Sequence, residues 1–282
     1  ACHAHNEAGN SKGDAMATPQ SLIYSVKAYN LSHSSENKIH DDTVAQKLGF
    51  TGGLVPGVEV FAYASHVPLE HWGRAFLERG RMVGRFAKPV YDGRTAIVTG
   101  DKNGSQIDLK VESEGVLCAT GAATLPEHPP EPPPLSNFPP AIPPAERPSA
   151  DDTSLAAGRY LASAEVQFDE QASTGYLRDV REMSTIYREE GLAHPGYLLR
   201  LCNRVLVDNV VLAPWIHTGS DVQFHGLARI GDRLVARAHI VANYERKGHR
   251  FVDLDCLILA NGERPIAHVR HTALYRLRHL AN

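Results

Sequence analysis

The residues whose types and spacing could do chemistry lie between Ser35 and Glu59. A polar loop, Ser34-Ser35-Glu36-Asn37-Lys38-Ile39-His40, ends in a histidine. Asp41 or Asp42 can cap a short helix and Gly49 can stop it. A glycine-rich turn, Thr51-Gly52-Gly53-Leu54-Val55-Pro56-Gly57, then leads into an apolar helix that begins near Gly57. This order sets an imidazole near bare backbone N–H groups at a helix start. An imidazole can take and give a proton, and a helix N-terminus can hold a developing oxyanion. Asn37 can brace the loop or position a substrate. Glu59 falls in the first turns of the apolar helix. It is either an acidic residue favoured by the helix dipole or a buried acid beside a bound substrate.

The elements that must hold these residues follow a pattern. Residues 22–29 read as a short strand. The helix that follows the turn is apolar on most sides, which marks a buried helix, and Pro68 is expected to end or kink it. Strands are expected at 81–90, 95–99, 106–111 and 116–124, with turns at Asp92-Gly93 and Lys102-Asn103-Gly104. Residues 126–148 then hold 11 of the chain's 18 prolines, so they can supply neither a central strand nor a helix. They read as a covalent spacer, with a motif for a proline-recognising domain as the alternative. Beyond it come a strand at 160–168, a polar stretch to Glu190, a second apolar helix at 197–211, and strands at 216–224, 233–241, 251–259 and 266–277. In the second of these, Leu234, Ala236, Ala238 and Ile240 face one way and Arg233, Arg237 and His239 the other.

The pattern is an internal repeat. Gly53-Leu54-Val55-Pro56-Gly57 matches Gly191-Leu192-Ala193-His194-Pro195-Gly196, and Phe86 through Gly93 matches Phe224 through Gly231. Each unit has one central helix and then a series of antiparallel strands, and a helix buried on most sides needs a sheet wrapped around it. The first unit also resembles the signature of the MaoC-like, (R)-specific enoyl-CoA hydratase family, G-D-x-N-P-I-H, a helix, then G-F-x-G-x-I-x-H-G-M. Asn37, Ile39, His40, Gly49, Phe50, Gly52 or Gly53, and Gly57 match at the right spacing. Ser34 replaces the glycine, Lys38 replaces the proline, and Ser35 stands where the family has its catalytic aspartate. The resemblance implies an α+β double hotdog, two antiparallel sheets each wrapped around a central helix and forming an intrachain pseudo-dimer. The expected division is an N-terminal tail at 1–19, hotdog units at 20–125 and 151–282, and the proline-rich linker at 126–150.

In the resembled family the site lies between paired units. An aspartate and a histidine hold water against the C2–C3 bond of an enoyl thioester, and a helix N-terminal N–H polarises the thioester carbonyl. Hydration needs a base for water, an acid for C2 and stabilisation of the enolate. Carried onto this chain, the resemblance makes His40 the catalytic acid/base and Asn37 its loop partner. Gly57 becomes the carbonyl donor, and Ser35, at the aspartate position, a contact to water or substrate; Glu59, read from its place in the helix and not from the resemblance, is a further candidate substrate contact. Glu36 is adjacent to the missing aspartate, but neighbouring side chains in an extended loop point apart. Three readings stay open: a hydratase or dehydratase of a coenzyme A-linked acyl thioester, a thioesterase using Glu59 or a water on His40, and a non-catalytic acyl-thioester binding protein. The second unit lacks the N-x-I-H loop; His194 there is expected to cap or pack its helix. Arg229, Arg233, Arg246 and Lys247 are candidates for the phosphates of coenzyme A.

Composition narrows the class. Hydrophobic residues make up 43% and charged residues 22% of 282 positions, as in a soluble globular protein. A net charge of −3 gives no basic field for nucleic acid. No apolar run is long enough to span a bilayer. Cys2, Cys118, Cys202 and Cys256 are far apart, so a reduced, cytoplasmic setting is expected. Cys2, His3 and His5 could meet a metal in the tail, but no metal or redox cofactor is implied. The expected partner is a small-molecule acyl thioester, with a homodimer of pseudo-dimers as a further possibility. Because the linker belongs to neither sheet, proteolysis within it should leave both halves associated. The check is co-elution of the two fragments in size-exclusion chromatography; fragments that separate and unfold would refute this reading.

Overall fold

A computed structural model of the chain describes residues 21–32 and 35–278. Ser34 and the tail with Cys2, His3 and His5 lie outside the described residues. The first unit runs β1 (Leu22–Lys27), α1 (Asp42–Lys47), α2 (Gly57–Trp72), α3 (Arg74–Arg79), β2 (Arg81–Phe86), β3 (Thr95–Asn103), β4 (Gln106–Ser113) and β5 (Val116–Thr124). The second runs β6 (Tyr160–Ala162), β7 (Val166–Gln167), α4 (Glu170–Asp179), α5 (Ile186–Glu190), α6 (Pro195–Val207), β8 (Ile216–Phe224), β9 (Arg233–Arg246), β10 (His249–Ala260) and β11 (Arg264–Arg276). The strands form one 11-stranded sheet in the order β1-β3-β4-β5-β2-β8-β11-β10-β9-β6, with β7 also pairing β9. The halves join where β2 and β8 pair antiparallel, Gly84 opposite Ser220. This is the double hotdog expected from the repeat.

Each sheet half wraps one central helix. In α2 every residue from Val58 to Ser65 is buried, which explains why the helix is apolar all round. The helix does not end at Pro68. It continues to Trp72 and stops at Gly73, whose φ of 57° only glycine adopts freely. Proline costs one backbone bond in a helix, and the burial of Val67 and Leu69 on either side of it offsets that loss. The two central helices approach closely at Gly196. A Cβ there would lie 2.6 Å from Ala62 Cβ and 2.2 Å from Tyr176 Oη, so this contact admits glycine alone.

The second unit differs from the sequence expectation in three places. The strand at 160–168 is two short strands, interrupted at Ser163: its N–H still donates to Ala236 O at 2.9 Å, but its Oγ accepts the Ala236 N–H at 3.0 Å. The polar stretch before Glu190 contains α4 and α5. Asp169 caps α4 by accepting from Ala172 N, and Ser173, Tyr176 and Leu177 form its buried stripe. The second central helix ends at Val207 rather than 211, where Asn209 Nδ2 donates to Val205 O and Ala162 O. The alternation of Leu234, Ala236, Ala238 and Ile240 holds, all four buried. The linker crosses the outer face of β9 and β10, where Phe138 is buried with Val235, Leu257 and Leu259. The linker is therefore anchored rather than loose.

A buried polar cluster ties the halves together behind the helices. Glu182 Oε1 accepts from His66 Nδ1 of α2 at 2.8 Å and from Ser184 N at 2.8 Å. His194 caps α6 as expected: its Nδ1 accepts the Gly196 N–H at 3.0 Å. That bond leaves the proton on Nε2, which donates to Glu182 Oε2 at 3.2 Å. Burial raises the Glu182 pKa, but the hydrogen bonds from His194 and His66 outweigh it and hold the carboxyl well below its ordinary range. A depressed carboxyl stabilises the fold above its unfolded pKa and loses that contribution as pH falls. Glu182→Gln should therefore cost about 3 kcal/mol at neutral pH, a deficit that shrinks below about pH 4.5. Urea unfolding at both pH values measures it; an equal deficit at both would contradict the ionised form.

Candidate functional site

The motif loop and α6 meet at the junction of the units and enclose a cleft of about 600 Å³. Ser35, Glu36, Asn37 and His40 line one wall; Tyr197, Arg200, Asn203, Arg204 and Asp208 line the other. Trp215 and Arg147 also line it. The loop holds its shape through local chemistry. Asn37 caps a single 3₁₀ turn at Lys38–His40, and Asp41 caps α1 by accepting from Val44 N at 3.0 Å. Asp42 Oδ1 accepts the Gly53 N–H at 2.6 Å, which folds the glycine turn back onto the loop.

His40 is fixed in position and tautomer. Its Nδ1 lies 2.6 Å from Leu54 O, an acceptor only, so Nδ1 carries the proton. Nε2 is then the basic nitrogen, with Asn37 Nδ2 donating to it at 3.3 Å. Burial pushes the imidazole pKa down to about 4 against the smaller opposing effect of the Leu54 bond, and the positive charge of Arg200 lowers it further. At neutral pH the ring is uncharged. Asn37 is itself held by both backbone groups of Trp215: Nδ2 donates to Trp215 O at 2.9 Å, and Oδ1 accepts the Trp215 N–H at 3.2 Å. Through Asn37 the second unit orients the first unit's histidine.

The other expected site residues divide. Ser35 lines the cleft, its Oγ 3.4 Å from Asn37 O. Glu36 also lines it but is committed to Arg147, at 3.0 and 3.3 Å. Gly57 opens α2, and a Cβ there would lie 2.9 Å from His217 Nδ1 and 3.1 Å from Phe86. Gly57 borders a smaller cavity of about 30 Å³ with His40, Asn37, Asn203 and His217, rather than the main cleft. Glu59 is not a cleft residue. Its side chain is fully buried, 3.4 Å from Arg200 Nε, behind the wall that Arg200 forms. Among the described residues no carboxylate oxygen lies within 4.0 Å of a His40 ring nitrogen.

The cationic groups expected at the site are elsewhere. Arg229 and Arg233 pair with Glu190 and Glu165, and neither they nor Arg246 and Lys247 border the cleft. The arginines that do border it are Arg147, Arg200 and Arg204. The readable signal for two of them was the polar stripe at 200, 203, 204 and 208, which interrupts an otherwise apolar helix.

Burial raises the Glu59 carboxyl to about 7, against the lowering effect of Arg200. The folded chain thus keeps a proton that the unfolded chain releases between its ordinary pKa of 4.5 and about 7. Stability contributed by this group therefore falls as pH rises through that window. Glu59→Gln does not titrate. Its stability relative to wild type should rise from about pH 4.5 to about pH 8, by on the order of 3 kcal/mol, in unfolding titrations across the range. A constant difference would refute the raised pKa.

No protein-family model and no curated protein matches the sequence. Solved structures do match. A Chloroflexus aurantiacus protein described as a MaoC domain dehydratase is 12% identical, with a TM-score of 0.60 over 96% of this chain and 100% of its own. A double-hotdog protein from Mycobacterium tuberculosis is 17% identical, with a TM-score of 0.63 over 93% of this chain and 97% of its own. A Thermobifida fusca protein described as a thioesterase II is 17% identical, with a TM-score of 0.50 over 89% of this chain and 91% of its own. At such identities the likeness is one of fold. The chain is a double hotdog with both units in one polypeptide.

Proposed function

We propose that the protein is a MaoC-like hydratase or dehydratase of a coenzyme A-linked acyl thioester, with His40 as its acid/base. The observation that carries this reading is the fixed tautomer of His40, whose basic Nε2 borders a cleft between the units. In the hydration direction Nε2 exchanges its long 3.3 Å bond from Asn37 Nδ2 for the water that attacks C3 and takes a proton from it. The electron pair of the C2–C3 bond moves toward the thioester carbonyl, whose oxygen gains charge. The first N–H groups of α2, at Gly57, are the donors for that charge. The imidazolium so formed is a strong acid, because burial disfavours it, and it returns the proton to C2. One imidazole thus makes both proton moves, and Asn37 keeps it aimed. Ser35, in place of the motif carboxylate, contacts substrate or water. That no carboxylate among the described residues pairs with the His40 ring nitrogens is the observation for the second reading, a protein that binds acyl thioesters without turnover. Hydrolysis by Glu59 is disfavoured because Glu59 does not reach the cleft.

Water addition to crotonyl-CoA, followed by loss of enoyl absorbance, tests this. His40→Ala should lower turnover by roughly two to four orders of magnitude with the fold kept. Ser35→Asp should raise turnover by restoring a second proton-transfer group. The rate should stay flat from about pH 5.5 to about pH 8, because a base with a pKa of about 4 is unprotonated throughout. Unchanged activity in His40→Ala would overturn the assignment. Inactivity of all three proteins with tight thioester binding would establish the binding reading.

A further inference from the structure

Three guanidinium groups and two carboxylates line the cleft. Arg147 pairs with Glu36 through both terminal nitrogens, at 3.0 and 3.3 Å, and also donates to Val207 O at 2.7 Å. Arg204 pairs with Asp208 in the same two-pronged way, at 3.2 and 3.0 Å. Arg200 is the cation left over. Its Nε lies 3.4 Å from Glu59 Oε1, and its guanidinium carbon stands 5.7 Å from the Tyr176 ring centre. Its two terminal nitrogens have no hydrogen-bond partner among the described residues. Glu59 compensates it only in part. Neither Glu59 oxygen has a hydrogen-bond partner, and burial favours its neutral form up to a pKa of about 7. Glu59 and Tyr176 fix the base of the arginine, and its forked end lines the cleft.

The cleft being read as an acyl-thioester site, we propose that Arg200 receives a carboxylate at the far end of the acyl chain, so that the ligand is a dicarboxylic acid esterified at one end. Position separates this from binding of the coenzyme A phosphates. Arg200 lies one turn of α6 from Asn203, a rise of about 4.5 Å, and Asn203 shares the smaller cavity with His40. The Arg200 charge acts on the His40 imidazole. A thioester with its reacting carbons at His40 has its phosphates a whole pantetheine arm away. A cation beside the histidine meets the acyl end. Arg147 and Arg204 are already held by Glu36 and Asp208, so neither is free to take that carboxylate. A guanidinium fork matches a carboxylate in two parallel bonds. An uncharged chain would instead leave that fork desolvated and unpaired, so the site should select against it.

The test is calorimetric titration of the full chain with glutaryl-CoA and with pentanoyl-CoA, saturated thioesters that differ in a terminal carboxylate against a methyl group. Wild type should bind glutaryl-CoA about ten- to a hundredfold more tightly. Arg200→Met should abolish the difference and Arg200→Lys should keep part of it. Since Arg200→Met strands Glu59 without its counter-ion, the double variant Glu59→Gln/Arg200→Met guards against misfolding and should also bind the two ligands equally. Equal binding by wild type overturns the proposal, as does a preference that survives Arg200→Met. Equal weakening of both ligands also overturns it, since Arg200 then meets the carbonyl or the coenzyme. These ligands do not react, so a failure of the hydratase reading leaves this test intact. Failure of both to bind would instead sink the thioester site itself.

Discussion

The structure depends on how closely α2 and α6 can approach. Both helices are gripped by the same sheet, which is continuous only because β2 and β8 pair. That pairing sets the separation of the two units, and the helices must then fit the space that remains. Gly196 against Ala62 is the solution, a backbone packed onto a methyl group. The other contacts of the junction are made at this helix separation. Arg200 meets Glu59, Trp215 meets Asn37, and His66 and His194 meet Glu182.

The junction buries two carboxylates with opposite electrostatic fates. Glu182 receives three hydrogen bonds from imidazole and backbone donors and stays ionised. Glu59 receives none from another residue and keeps its proton up to about pH 7. Desolvation is severe for both, and the difference lies in the count of donors. Glu182 acts as an ionic brace between units. Glu59 acts as a soft counter-ion that steadies an arginine without neutralising it.

Much of this was legible in the chain. The repeat showed through its glycine turns and apolar helices, because burial on all sides removes the polar face that a surface helix keeps. The loop ending at His40 was legible because its caps and turns are local. Glu59 was misplaced for a simple reason: a sequence gives a residue's depth in a helix but not the helix face that meets the second unit. α4 was missed because its buried stripe is narrow, although Asp169 before Glu170 was a cap in plain view. Arg147 could not have been found. Its partners Glu36 and Val207 are 111 and 60 positions away, and nothing in a run of prolines marks one arginine as part of a wall.

The linker that carries Arg147 also changes what the architecture can become. A homodimer made of one such unit is bound by its twofold axis to hold every residue twice. Any substitution that helps one helix start must be tolerated at the other. With both units in one chain that symmetry is lifted. The start of α2 keeps the motif loop and its histidine, while the matching start of α6 is filled by Glu182 and His194. Each half is free to change at its own helix start without the other, and each inherits its own changes. The covalent connection therefore converts a duplicated device into a division of labour.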